Sequence, residues 1–154
     1  MAARVDLCSQ NRMIKGTDYI GVCIIYFCHD GKGRFVMAKR SVNARDEQGR
    51  WDIGGGGLEF GDSVEDTLRR EIKEEYNAEV LDSEFLGFRD VHREREEKPT
   101  HWIALDFKVK INPAGVKNNE PHKFNELGWF TLNNLPSPLH SQLPVFFEKY
   151  KNRL

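Results

Sequence analysis

The stretch YIGVCIIYFC, residues 19–28, limits the possible folds more than any other part of the chain. It is apolar almost without a break and rich in β-branched and aromatic residues, so it reads as an inner strand. The turn-formers HDGKG follow, then RFVMAKR (34–40), and the two runs form a central hairpin. An inner hairpin has to be covered, and the elements downstream supply the cover: two helical segments and several more strands, giving two helices on a mixed sheet, an α+β arrangement.

At 154 residues and 39% hydrophobic content the chain suffices for one core and is short for two, so a single domain spanning 1–154 is expected. Residues 1–17 are polar and without a period, and read as an N-terminal arm. VNARDEQGR (42–50) has loop composition, WDI forms a short strand, and GGGG (54–57) is expected to be a turn, because glycine weakens any element interior. FLGFRDVH (85–92) and HWIALDFKVKI (101–111) read as strands, with the charged REREEKPT as an exposed link. LGWFTL is a further strand, and VFFEKYKN belongs to a final helix.

Twenty-three basic and 24 acidic side chains leave a formal charge of -1, so no global field draws the chain to nucleic acid or an anionic membrane. Phosphate binding, if present, is local. The chain shows no leader pattern and no apolar run of about 18 residues, which points to a cytoplasmic protein with no membrane partner. Cys8, Cys23 and Cys28 are odd in number and lack CxxC spacing, which disfavours a disulfide framework or a zinc site. His29, His92, His122 and His140 likewise lack metal-ligand spacing.

The most informative segment is the helix predicted over Asp62 to Asn77. Val64, Leu68, Ile72 and Tyr76 recur at spacing four, Asp62 with Glu65 suits a capping box, and Asn77 suits a left-handed cap. At about 100° per residue, Glu75 and Glu71 fall about 20° either side of Val64, and Glu74 about 80° from it. These acids border the buried stripe instead of opposing it. Like charges at that spacing repel by roughly 0.2–0.5 kcal/mol per pair; either solvent screens that cost or a cation removes it, and placement beside the buried stripe favours the cation. Pairs Glu65–Arg69 and Asp66–Arg70 are what an ordinary solvated helix would show. The glycines just before the helix allow backbone to approach phosphate, and hard Mg²⁺ takes a few carboxylates plus substrate phosphates.

GGLEFGDSVEDTLRREIKEEYNA, Gly56 to Ala78, resembles the box of the Nudix family, G-x5-E-x7-R-E-U-x-E-E-x-G-U with U bulky and aliphatic. Gly56, Arg70, Glu71, Ile72, Glu74 and Glu75 fit the spacing. Asp62 stands where the family has Glu, Asn77 where it has Gly, and Ala78 where it has a larger aliphatic. A preceding apolar hairpin ending in KR, a Trp before the glycines and a late W followed by LP extend the likeness to about residues 18–150.

The resemblance implies an α/β/α sandwich with the mixed sheet between helices, and an enzyme that attacks a pyrophosphate bridge with water and Mg²⁺, for which Mn²⁺ can substitute. It implies Glu71, Glu74 and Glu75 as metal ligands with the Gly56 carbonyl, and Arg70 orienting a glutamate. Glu71 is the first candidate for general base and Glu120 in NNEPHK the second. Gly55, Gly56, Lys39, Arg40 and His101 are candidates for substrate contact, whereas Trp51, Trp102 and Trp129 read chiefly as packing residues. LEFGDS and NNEPHKFNELGWF are similar to members that cleave nucleoside triphosphates, modified dNTPs included, to monophosphate and pyrophosphate. ADP-ribose or another nucleoside diphosphate derivative is the alternative substrate, and a non-catalytic nucleotide sensor the alternative class. The expected partner is a small nucleotide, no nucleic acid polymer is expected, and a homodimer is allowed.

Overall fold

The computed structural model describes residues 12–154, so most of the expected arm and Cys8 lie outside the described residues. The elements are β1 (Gly21–His29), β2 (Phe35–Arg40), β3 (Trp51–Asp52), β4 (Gly54–Gly57), α1 (Val64–Tyr76), β5 (Glu79–Arg95), β6 (Lys98–Asn112), β7 (Phe124–Phe130) and α2 (Leu143–Tyr150). One mixed sheet has the order β3-β2-β1-β6-β5, with β4 also on β1 and β7 also on β2. β1 and β6 are parallel, and the other pairs are antiparallel.

Alternate residues of β1 enter two cores, which is why the run is apolar throughout. Ile24, Tyr26 and Cys28, with Val36 and Ala38, pack under Leu68, Ile72 and Tyr76 of α1. Phe27, Phe35 and Met37 pack with Phe146 and Tyr150 of α2. The α+β sandwich expected from the resemblance is therefore present. The α2 side also holds an ion pair: Arg89 donates to both oxygens of Asp106 at 2.7 and 2.9 Å, and the Tyr150 hydroxyl donates to Asp106 at 2.7 Å. These bonds tie the last helix to the sheet.

Three expectations about the strands need correction. The central hairpin pairs β1 with β2 only at its turn, His29 with Phe35, and the strands then part. The edge of β1 left open is taken by the glycine run, which is a strand and not a turn, with Cys23, Ile24, Ile25 and Tyr26 opposite Gly57, Gly56, Gly55 and Gly54. Close packing explains it. A Cβ on Gly54 would overlap the Tyr26 ring, and one on Gly55 would sit 2.8 Å from Ile25 Cδ1, so tertiary fit overrides glycine's weak strand preference. Finally, REREEKPT is exposed but belongs mostly to the β5 and β6 strands, with Arg95 opposite Lys98. The turn consists of Glu96 and Glu97 at φ 51° and 61°, the positive pair of a two-residue hairpin turn.

Helix α1 starts one residue later than expected. Ser63 is the N-cap, its hydroxyl accepting from the Asp66 N–H at 3.1 Å, a bond worth about 1 kcal/mol. Asp62 instead accepts from Arg70 at 2.9 Å. At the other end Asn77 takes the left-handed conformation, φ 51° and ψ 31°, and its N–H closes on the Lys73 carbonyl. Among the described residues no helix is long and apolar enough to cross a membrane.

Candidate active site

Three segments bring the site together. Helix α1 carries the acids, and their burial follows the helical wheel: Glu75 is 2% exposed, Glu71 is half-buried and Glu74 faces solvent. Strand β4 lies beneath them, and the Glu71 carboxyl rests on Gly56, where a Cβ would stand 2.5 Å from Glu71 Cδ. No side chain other than hydrogen fits there without moving Glu71. The third segment is the loop before β7, which docks on the end of α1 as the Lys117 N–H donates to the Tyr76 carbonyl at 3.0 Å and the Asn119 N–H to the Glu75 carbonyl at 3.1 Å. This docking brings Glu120 up to the helix acids.

Lys123, which the sequence reading passed over, joins them: its Nζ lies 3.0 Å from Glu120 Oε2 and 3.4 Å from Glu75 Oε1. Its position three residues after Glu120, on the same tight turn, was the available signal. The other oxygen of Glu75 is buried and makes no well-formed hydrogen bond among the described residues, nor do the hydroxyls of Tyr26 and Tyr76, although Tyr26 is near enough to favour the charged carboxylate. An unpartnered buried carboxylate oxygen is costly, and that cost shows in the electrostatics. Burial pushes the Glu75 carboxyl up to about 8 against the opposing pull of Lys123. Burial and then the Glu74 charge raise Glu71. Lys123 is held charged above its ordinary range, since burial is outweighed by Glu75 and Glu120.

A small dication fits this donor set. It would partner the orphaned Glu75 oxygen, relieve the repulsion among the acids, and meet only oxygen ligands, as Mg²⁺ and Mn²⁺ prefer.

Other candidates are more occupied. Arg70 bonds chiefly to Asp62, with Glu71 Oε1 at 3.9 Å, so its direct hydrogen bond is to the loop before the helix and not to a glutamate. The Asp66–Arg70 pair gives way to it, while Glu65–Arg69 forms at 2.8 Å. Arg40 is held by Asp46 at 2.7 Å and Asp52 at 3.5 Å. Lys39 has a looser partner in Glu126 at 3.8 Å. Gly55 sits in β4 beside Gly56. His101 is apart from this group, its Nε2 3.0 Å from Asp90 Oδ1 and its ring against His92.

Comparisons with known proteins identify relatives of the chain. The model of the NUDIX domain matches residues 19–150. The chain is 38% identical over 124 residues to the nucleoside triphosphatase NudI of Escherichia coli K12 (strain DH10B), covering 76% of this chain and 84% of that protein. NudI of Escherichia coli O139:H28 is 36% identical over the same span. Among solved structures, a MutT NUDIX hydrolase from Burkholderia pseudomallei superposes with a TM-score of 0.75 at 26% identity, covering 85% of this chain and 98% of that one. A MutT protein from Methanosarcina mazei Go1 gives 0.71 at 25%, covering 88% and 96%.

Proposed function

The chain belongs to the Nudix hydrolase family, a family of nucleotide pyrophosphohydrolases, and from that premise we propose that it cleaves nucleoside triphosphates between the α- and β-phosphates, releasing a monophosphate and pyrophosphate with Mg²⁺ as cofactor. The likeness to the NudI nucleoside triphosphatases supports the substrate class. Modified dNTPs fall within that class. The observation that carries the reading is the Glu75 carboxylate, 2% exposed with one oxygen unpartnered, on the same helix as Glu71 and Glu74 and above a glycine strand.

Glu71, Glu74 and Glu75, with the Gly56 carbonyl, would hold the metal. When bound, Mg²⁺ supplies positive charge for the phosphate oxygens and the leaving oxygen and makes water easier to deprotonate. In the reaction the water oxygen forms a bond to the α-phosphorus, the α–β bridge bond breaks, and a carboxylate takes the proton. Glu71, half-buried and resting on Gly56, is the first choice for that base. Glu120, held by Lys123, is the second. Lys123 also stations a cation beside the acids, where it can meet a phosphate oxygen. Arg70 fixes the start of α1 through Asp62 and so positions Glu71 indirectly.

The test is a panel of nucleoside triphosphates, modified dNTPs and ADP-ribose with Mg²⁺ or Mn²⁺, products followed by phosphorus NMR. Monophosphate and pyrophosphate in equal amounts support the proposal. Cleavage of ADP-ribose alone moves the substrate to diphosphate derivatives, and tight binding without turnover makes the protein a sensor.

A further inference from the structure

Beyond the start of β1, which pairs with β6 only from Gly21 opposite Trp102 onward, β5 and β6 project as a hairpin. At its base His92 lies directly across from His101. Asp90, two residues before His92, shares its face by the two-residue period of a strand. His101 Nε2 is 3.0 Å from Asp90 Oδ1, and the imidazoles are 4.2 Å apart between centroids. One ligand atom from each of the three residues lies within 4.8 Å of the other two. Spacing along the chain does not signal this grouping, since Asp90 and His92 lie nine residues or more before His101. The hairpin register creates it.

The backbone under the cluster is firmly held. Ladder pairing is unbroken from Asp90 opposite Ile103 to Arg95 opposite Lys98, and the His101 N–H donates to the Gly16 carbonyl at 2.8 Å. Arg93 anchors the same strand to Asp46 and Glu47 of the 42–50 loop at 3.2 and 2.8 Å. Ligands on regular strands are placed more accurately than ligands on loops. Tetrahedral Zn²⁺, at about 2.0–2.2 Å from nitrogen and oxygen ligands, needs donor atoms roughly 3.4 Å apart. Rotation of the exposed His92 and Asp90 side chains covers that difference.

This donor set differs in kind from the one on α1. Two imidazoles and one carboxylate suit a borderline dication such as Zn²⁺, whereas the all-oxygen set suits Mg²⁺. The two are also separate in space. Gly56 faces Ile24, which faces Leu105, four residues along β6 from His101, so strand spacing and rise place the sites roughly 16 Å apart.

We propose that Asp90, His92 and His101 form a Zn²⁺ site with three protein ligands and a fourth position open to water or an anion. The metal crosslinks β5 and β6 at the point where β1 begins. The site is independent of nucleotide hydrolysis, so activity is not the readout.

The full chain, stripped by chelator and placed in excess Mg²⁺ to occupy the oxygen ligands of α1, is titrated calorimetrically with Zn²⁺. In parallel, Co²⁺ is added and its visible absorption recorded. One equivalent of Zn²⁺ is expected to bind, with the intensified Co²⁺ absorption of a four-coordinate site. His92→Ala and His101→Ala each weaken binding by at least about tenfold, while His29→Ala leaves it unchanged. Zn²⁺ raises the melting temperature of the wild type and not of His92→Ala, whose exposed side chain makes loss of folding a poor explanation. Absence of Zn²⁺ uptake in excess Mg²⁺, or uptake equal in wild type and both histidine variants, overturns the site. Lowered nucleotide affinity in His101→Ala with undiminished Zn²⁺ binding also overturns it, and makes His101 a substrate contact.

Discussion

Replacing Glu75 by glutamine separates a metal ligand from a structural acid, because the two roles give opposite stability changes. In the fold this carboxyl is 2% exposed and is raised by burial, against Lys123, from 4.5 to about 8. A shift of that size corresponds to roughly 5 kcal/mol of preference for the protonated form. The unfolded chain releases this proton near pH 4.5 and the folded chain near pH 8, so the folded state binds more protons between those values. Stability is therefore fully present below about pH 4.5 and is lost as pH rises through about 8. Lys123 and Glu71 are coupled to this carboxyl, so the midpoint belongs to the cluster. Glutamine has no proton to lose. Under chelator, urea denaturation is expected to show the two proteins nearly equal at pH 5, with Glu75→Gln ahead by a few kcal/mol at pH 9. Turnover with Mg²⁺ falls by orders of magnitude in the variant, because a ligand of the charge-stabilising metal is gone. Parallel stability profiles from pH 5 to 9, or a variant that is less stable at pH 9 yet near wild type in turnover, would refute the reasoning.

Other substitutions test the supporting structure. Asn77 sits at φ 51° and its side chain donates to the Gly115 carbonyl at 3.0 Å; Asn77→Gly should lose about 1 kcal/mol for that bond, and Asn77→Val distinctly more, since a β-branched residue is strained at positive φ, as thermal melts will show. Gly54→Ala drives a methyl into the Tyr26 ring and should leave little folded protein, whereas Gly56→Ala meets only the mobile end of Glu71 and should fold with greatly reduced turnover. Circular dichroism and product assays distinguish these outcomes. Asp106→Ala strands a buried arginine on the α2 side and should cost about 3–5 kcal/mol in denaturant titration.

What could be read from the sequence was short-range. The spacing of Val64, Leu68, Ile72 and Tyr76 located α1 and set Glu75 and Glu71 against the buried stripe with Glu74 farther from its edge, because a helix fixes its own faces. Asn77 was readable as a cap for the same reason. The glycine strand was not, since its cause is the Tyr26 ring on a neighbouring strand, and the glycines' own preferences point to a turn. Ser63 took the cap from Asp62 because Arg70, eight residues on, competes for the aspartate. The approach of Lys123 to Glu75 and the grouping of Asp90, His92 and His101 depend on a docked loop and a hairpin register, neither of which any local pattern encodes. Arg40 ended a strand as expected, but its partners Asp46 and Asp52 come from the loop and strand that follow.

The most direct test of a cation held by the α1 acids is a Mn²⁺ titration of isotope-labelled protein followed by NMR. Paramagnetic broadening is expected first at Glu71, Glu74, Glu75 and Gly56, then at Glu120, and it should be largely lost in Glu75→Gln. Broadening that spares α1 and β4, or that is equally strong in the variant, would contradict the account.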